Sequence, residues 1–378
     1  MFEKSKSMRR GLMAAVCGLA MGAGLHGAAA AESRSFVVSY FYDANYSDGA
    51  TDCPDGTNMS SLDFYRRDLL RVGHSPEKVE EVLKDFPGEG GLPQPWIPLV
   101  MTRGNGKDNV YTNPTSAPDP GLKLAQSKFS YGFNLDGKAP KGSFIEPETK
   151  QAGIDNQVYR VMGCIRSFRG LPPPGRPSLA ENLWDVLRDV IPAWVITVSG
   201  DDLSKDGNVT ITIDRALERI TRDASGGNAQ ADLTYQIDPD PRSHSVLEGK
   251  LKDGVVTTTK PGHVHIVADP YLLPYYDFAQ ARMSFDIRPD VLRRGVIGGY
   301  LPWRDLFYAV ASQGHIKEYA TSIDVPALYY ALQRNADADP DPKTKENRRI
   351  SAAYVIEAVP AFVVPARGGQ TADAAPAR

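Results

Sequence analysis

The sequence predicts an α+β protein with an antiparallel β-sandwich or jelly-roll-like core, decorated by N- and C-terminal helices. Three observations carry that expectation. Residues 193–300 alternate apolar and polar positions in short runs, the period-two signature of half-buried strands. Asp-Gly signals at 206–207 and 253–254 turn the chain between such runs. Helix caps and helical apolar spacing fall outside that stretch, on either side of it. Regular short strands with turns between them fit two packed sheets, each with one solvated face.

Residues 1–31 read as a secretory signal peptide. Lys4, Lys6, Arg9 and Arg10 form a basic start, an apolar stretch of small residues follows, and Ala29-Ala30-Ala31 offers a cleavage site before Glu32. No later stretch is long and apolar enough to span a bilayer, so no transmembrane segment is expected after cleavage. Residues 36–42 (FVVSYFY) read as a strand. Ser60 or Ser61 caps a helix to about Val72, ended by Gly73, and Ser75-Pro76-Glu77 opens a second with Val79, Val82, Leu83 and Phe86 on its apolar face. Residues 88–128 read as a long loop with a short strand at 97–101, and 131–135 as a strand entering the Asp136-Gly137 turn. Residues 158–165 are expected to be a short helix capped by Asp155. LPPPGRP (171–177) is stiff and extended, and Ser178 with Glu181 forms a capping box for a helix over 179–190.

Strands are then expected at 194–198, 209–213, 233–237, 246–251, 255–259, 263–268, 282–287 and 294–297. Helices follow at 303–312 and 325–334, a polar acidic loop at 335–345, and a returning strand at 352–364. The organisation is therefore a signal peptide (1–31), a mixed α/β region (32–175), a sandwich-rich region with C-terminal helices and a return strand (176–366), and a disordered Gly- and Ala-rich tail (367–378).

Loss of residues 1–31 removes four basic groups and one acidic group, taking the formal net charge from −3 to −6. An acidic chain with no basic tract argues against nucleic-acid and anionic-membrane partners. Two of the three cysteines remain, Cys53 and Cys164, and an even pair in an oxidising compartment reads as one disulfide; two buried free thiols are the alternative.

Three segments, GIDNQVYRVMGC (153–164), GVIGGY (295–300) and ISAAYVIEAVPAF (350–362), resemble segments of uncharacterised exported bacterial proteins. The resemblance implies export and brings no activity, fold or active site with it.

Four sets of residues are candidate sites. Asp43, Asn45, Ser47 and Asp48, and separately Asp337, Asp339 and Asp341 with Glu346 beyond, place short oxygen ligands at the close spacing that calcium uses, although neither loop has EF-hand spacing. Such residues also simply make turns. His263 and His265 project from one face of a strand, with Asp269 four residues on and His244 on a nearby element, as in transition-metal sites; two solvated histidines are the plainer account. Asp155, Asn156 and Gln157 offer hydrogen bonds to a sugar or an ion, or merely shape a tight helix entry. Tyr271, Tyr275, Tyr276, Tyr300 and Trp303 suit glycan or peptide stacking, or core packing.

No GxSxG, HExxH, P-loop or dinucleotide fingerprint is present. The reading is an exported, periplasmic or secreted, non-catalytic binding protein for a glycan, peptide or envelope protein, with calcium as the one cofactor suggested. The rival is a metal- or carboxylate-dependent extracytoplasmic hydrolase.

Overall fold

Strand β1 (Glu32–Asp43) opens the fold, and its apolar run is buried on both faces. The computed structural model describes residues 31–47, 51–84, 96–170, 176–178, 190–269, 273–287 and 292–365. The expected signal peptide, the tail and nearly all of the helix expected over 179–190 lie outside these residues. Helix α1 (Ser61–Arg71) starts at Ser60, whose Oγ accepts from the Asp63 N–H at 3.3 Å. It stops before Gly73, which takes φ 98°, where a side chain would be strained. Helix α2 (Pro76–Lys84) buries Val79, Val82 and Leu83, the face its spacing dictates.

Helix α3 (Ile97–Met101) replaces the short strand expected there. Pro98 sits in its first turn, where the missing N–H costs a helix nothing but would leave a gap in a strand ladder. Residues 131–135 make no strand; Phe133 forms a single bridge to Asp155. Strands β2 (Phe144–Ile145) and β3 (Ala152–Ile154) pair by themselves. Helix α4 (Gln157–Met162) is capped by Asn156, whose Oδ1 accepts from the Tyr159 N–H at 3.1 Å, and not by Asp155.

The remaining strands are β4 (Pro192–Gly200), β5 (Gly207–Arg219), β6 (Leu233–Gln236), β7 (His244–Lys252), β8 (Val255–Thr258), β9 (Gly262–Asp269), β10 (Leu273–Asp286) and β11 (Leu292–Pro302). Helices α5 (Trp303–Ala311), α6 (Gly314–Thr321) and α7 (Val325–Asn335) precede β12 (Ala338–Pro340) and β13 (Asn347–Val364). The β7–β8 connection is a two-residue turn, Asp253 and Gly254 at φ 51° and 82°, as a twisted hairpin requires.

The core is a barrel and not a sandwich. Antiparallel neighbours run β1-β4-β5-β7-β8-β10-β11-β13, and β13 pairs back with β1, so eight strands close on themselves. Strands β6, β9 and β12 add to this ring from outside the cycle. Period-two alternation is the same in a closed sheet and in two stacked ones, so the pattern alone could not separate them. Length does separate them: β10 spans 14 residues and β13 spans 18, each long enough to bend and serve different partners along its course. Strand β10 pairs with β9 through Leu273–Ala281 and with β8 through Ser284–Asp286, with a register shift at Gln280, which takes φ 52°.

Inward positions pack Ile211, Ile213, Leu247, Met283, Phe285 and Ile356, all nearly inaccessible. Outward positions of β7 are Val246, Glu248 and Lys250, alternating with buried neighbours. An apolar interior behind a charged outer row on this strand is the reverse of a lipid-facing strand. Among the described residues, no helix is long and apolar enough to cross a membrane.

Helices α5 and α7 pack outside β10, β11 and β13, α6 packs against α5, α1 and α3, and α1–α3 share a small core of Phe64, Tyr65, Leu69, Val82 and Val100. A buried ion pair joins the two groups: Arg103 Nη2 meets Glu318 Oε1 at 2.5 Å, and Tyr65 and Tyr111 donate to Glu318 Oε2 at 2.9 and 2.6 Å. Cys53 and Cys164 form a disulfide across 111 residues, tying the loop after β1 to the end of α4.

Candidate outer-wall site

Strands β9 and β10 pair so that His265 lies opposite Asp277, His263 opposite Ala279, and Tyr275 opposite Val267. Alternation sends Val264, Ile266, Tyr276 and Phe278 inward and leaves His263, His265, Tyr275 and Asp277 on the outer wall. Asp277 is the hub. Its Oδ1 lies 2.6 Å from His263 Nε2 and 3.6 Å from His265 Nδ1. Arg349 of β13 donates through Nη2 to Asp277 Oδ2 at 2.7 Å, and through Nη1 to the Asp277 and Tyr300 carbonyls at 2.9 Å each. Burial pulls the Asp277 carboxyl up, but hydrogen bonds from Arg349 and His263 outweigh it and hold it below its usual range. An ionised carboxylate only accepts, so His263 carries its proton on Nε2.

The ring of Tyr275 stacks on His265, centroids 5.2 Å apart and planes 24° apart. Its hydroxyl is bonded to Asp305 in the first turn of α5. The Asp305 charge, then burial, raise the Tyr275 phenol; burial, only partly offset by that hydrogen bond, raises Asp305. Tyr275 and His263 remain well exposed, at 39% for the residue and 62% for the side chain, so this wall meets solvent.

The strip continues across β11 and β13. Asp337 accepts from the backbone and the hydroxyl of Ser351, at 2.7 Å each. Burial pushes its carboxyl up to about 6, against those hydrogen bonds and helped by the Asp155 charge. Asp155 accepts from the Leu135 and Asp136 N–H groups at 2.7 and 3.2 Å, and burial raises it too. The phenol of Tyr300 is raised by burial, then by the charges of Asp155, Asp337 and Asp136.

The fold thus brings His263, His265, Tyr275, Asp155, Asp337 and Asp339 to one side of the barrel; Asp339 bonds Arg348 and lies 4.0 Å from Arg349 Nε. The other candidates go elsewhere. Asp341 caps its own turn at Lys343 and Thr344. Asn156 is a buried cap whose amide reaches Ser130 and the Tyr131 carbonyl. Asn45 donates to the Phe168 carbonyl, Asp48 lies outside the described residues, and Asp43 and Tyr276 face the barrel interior. His244 pairs with Asp214 at 2.5 Å, and its neighbour Ser245 bonds the His265 backbone. In the second Asp-rich loop Asp337, Asp339 and Asp341 are directed to different partners, and Arg349 occupies the second oxygen of Asp277. Among the described residues, no three His, Cys, Asp or Glu side chains are placed to hold a metal ion.

Asp277, Asp305 and Arg349 are the residues that sequence reasoning missed. The signal was present: with β10 begun at Leu273 instead of 282, Tyr275 and Asp277 fall on one face. The molecule belongs to the class of closed eight-stranded antiparallel barrels, here with an ion-paired, ring-bearing outer wall. Comparison with protein-family models, with curated proteins and with solved structures finds no match.

Proposed function

We infer that this chain is an exported, non-catalytic glycan-binding protein that takes its ligand on the β9–β10 wall. The observation that carries this is the stacked Tyr275–His265 pair, presented outward beside the Asp277–Arg349 ion pair and the Asp305 carboxylate. A pyranose ring offers an apolar C–H face and a rim of hydroxyls. Exposed rings receive the first, and fixed carboxylates, imidazoles and guanidinium groups receive the second. Peptide and protein ligands are less well matched, because the wall is polar and charged instead of a continuous apolar patch.

The signal-like residues 1–31 and the Cys53–Cys164 disulfide support export. The hydrolase reading has one observation in its favour, the raised carboxyls of Asp155 and Asp337 near Tyr300. Both are engaged by backbone or Ser351 donors, which suits shaping the wall better than proton transfer.

The test is calorimetric titration with soluble chito-, cello- and malto-oligosaccharides and with peptidoglycan fragments. Tyr275→Ala and His265→Ala should each weaken binding about tenfold, the loss of one stacking face. Unchanged affinity in both variants, or no binding to any of these sugars by the intact protein, would sink the assignment.

A further inference from the structure

Strands β1 and β13 separate before either of them ends. Their antiparallel pairing runs from Asp43–Tyr354 to Ser35–Ala361 and stops there. Continued in register, it would set Arg34, Ser33 and Glu32 against Phe362, Val363 and Val364. Instead Glu32–Arg34 pair with β4 alone, and the end of β13 pairs in parallel with β6. The gap between them is a cavity of about 310 Å³, lined by Ser33–Phe36, Pro360–Val363 and Asp232. That is the small end of ligand-sized cavities.

The cavity has main-chain edges. The Pro360 and Val364 carbonyls accept from the Asp232 and Ile237 N–H groups at 2.7 and 3.0 Å, so even-numbered residues of β13 here face β6. Alternation then turns the N–H and C=O of Ala361 and Val363 toward β1, and those of Ser35 and Ser33 toward β13. Ser35 and Ala361 pair, but Ser33 and Val363 do not. Unpaired edge groups of this kind are a template for an added extended chain.

The cavity also has charges of both signs. Arg34 makes two long contacts, Nη2 to Glu32 Oε1 at 3.4 Å and Nη1 to the Ile287 carbonyl at 3.5 Å. Its side chain is 32% exposed, and its other N–H donors are unbonded among the described residues. The carboxylate of Asp232 is exposed and has no hydrogen-bond or ion-pair partner among the described residues. Phe362 adds a ring that is 60% exposed.

We propose that this cleft binds a short extended peptide with both termini free. The unpaired stretch is three residues on each edge, about 10 Å of strand, so a tripeptide fills it. Main-chain bonds run to Ser33 and Val363. Asp232 receives the ammonium, Arg34 receives the carboxylate, and Phe362 receives an apolar side chain. Two opposite charges that line one cavity without pairing suit a zwitterion better than an ion of either sign. The cleft shares no residue with the β9–β10 wall, so it stands or falls independently of the glycan reading.

The test is calorimetric titration of the chain at pH 7 with trialanine and with alanyl-phenylalanyl-alanine, each against the same peptide acetylated and amidated at its ends. At least one free peptide should bind, and its blocked form should bind about tenfold more weakly. Arg34→Gln and Asp232→Asn should each lower affinity for the free peptide about tenfold and leave affinity for the blocked one unchanged. Both side chains reach solvent, so both variants are expected to fold, and their melting temperatures check that; the blocked peptides test the charges without any variant. No binding of either free peptide up to about 1 mM, blocked peptides binding as tightly as free ones, or full affinity in both variants would each overturn the proposal.

Discussion

Single residues set how this molecule responds to pH. Asp43 has an ordinary carboxyl value of 3.8 and is raised by burial to about 7 in the folded chain. Between those values the native state holds a proton that the unfolded state has lost, so this group makes stability fall as pH rises through that window. Asp43→Asn should therefore gain on the parent protein between pH 5 and pH 8. The gain should be on the order of 2 kcal/mol, discounted for the residue's partial solvent contact. Urea midpoints of both proteins at the two pH values measure it, and equal pH slopes would contradict the burial assigned to Asp43. Asp43 also marks the limit of reading residues from sequence. Its acidic neighbours suggested a cation loop, but which way the last residue of a strand points depends on a bulge at Ser39, where the β1–β13 register shifts. The two histidines were legible, because x-His-x-His spacing in a strand puts both on one face. Their shared partner Asp277 was not, because cross-strand register is a tertiary fact.

Elements were legible where the chain punctuates itself. Ser60, Gly73, Ser75-Pro76 and Asp253-Gly254 each mark a boundary that the structure keeps. Strand ends were not legible where pairing continues past the apolar run, as at β10 and β11, and α6 carries no cap residue to announce it. Two of the three glycines within β11, Gly298 and Gly299, have a packing reason. A Cβ on Gly299 would lie 2.9 Å from the Ala279 carbonyl oxygen, beside the Gln280 bulge, and one on Gly298 would lie 2.8 Å from the Phe133 ring. Gly299→Ala should cost about 1–3 kcal/mol, because the obstacle is backbone that cannot rotate away. Gly207→Ala, where a Cβ meets nothing within 4 Å, is the control. Equal thermal stability of the two variants would mean that β11 can shift to make room.

At the scale of the whole molecule, one covalent link and one pairing bind distant parts of the chain. The disulfide joins residues 111 apart, and by the chain-entropy model its removal in Cys53→Ser should cost about 4–5 kcal/mol in oxidised protein. Chemical denaturation with and without reductant checks this: the variant and the parent should converge when both are reduced. A difference that persists under reductant would place the effect in packing and not in the cross-link. The cysteine pairing could be read from number and compartment. The closure of the sheet could not, since it rests on β1 choosing β13 as well as β4. That choice has a consequence for synthesis. A chain emerging from a ribosome, or threading through a secretion channel, presents β1 first and β13 last. The ring cannot shut while the final strand is still inside the machine. Until then β1 and β11 wait with bare edges, and a product truncated before residue 347 keeps those edges permanently, open to pairing with its own kind.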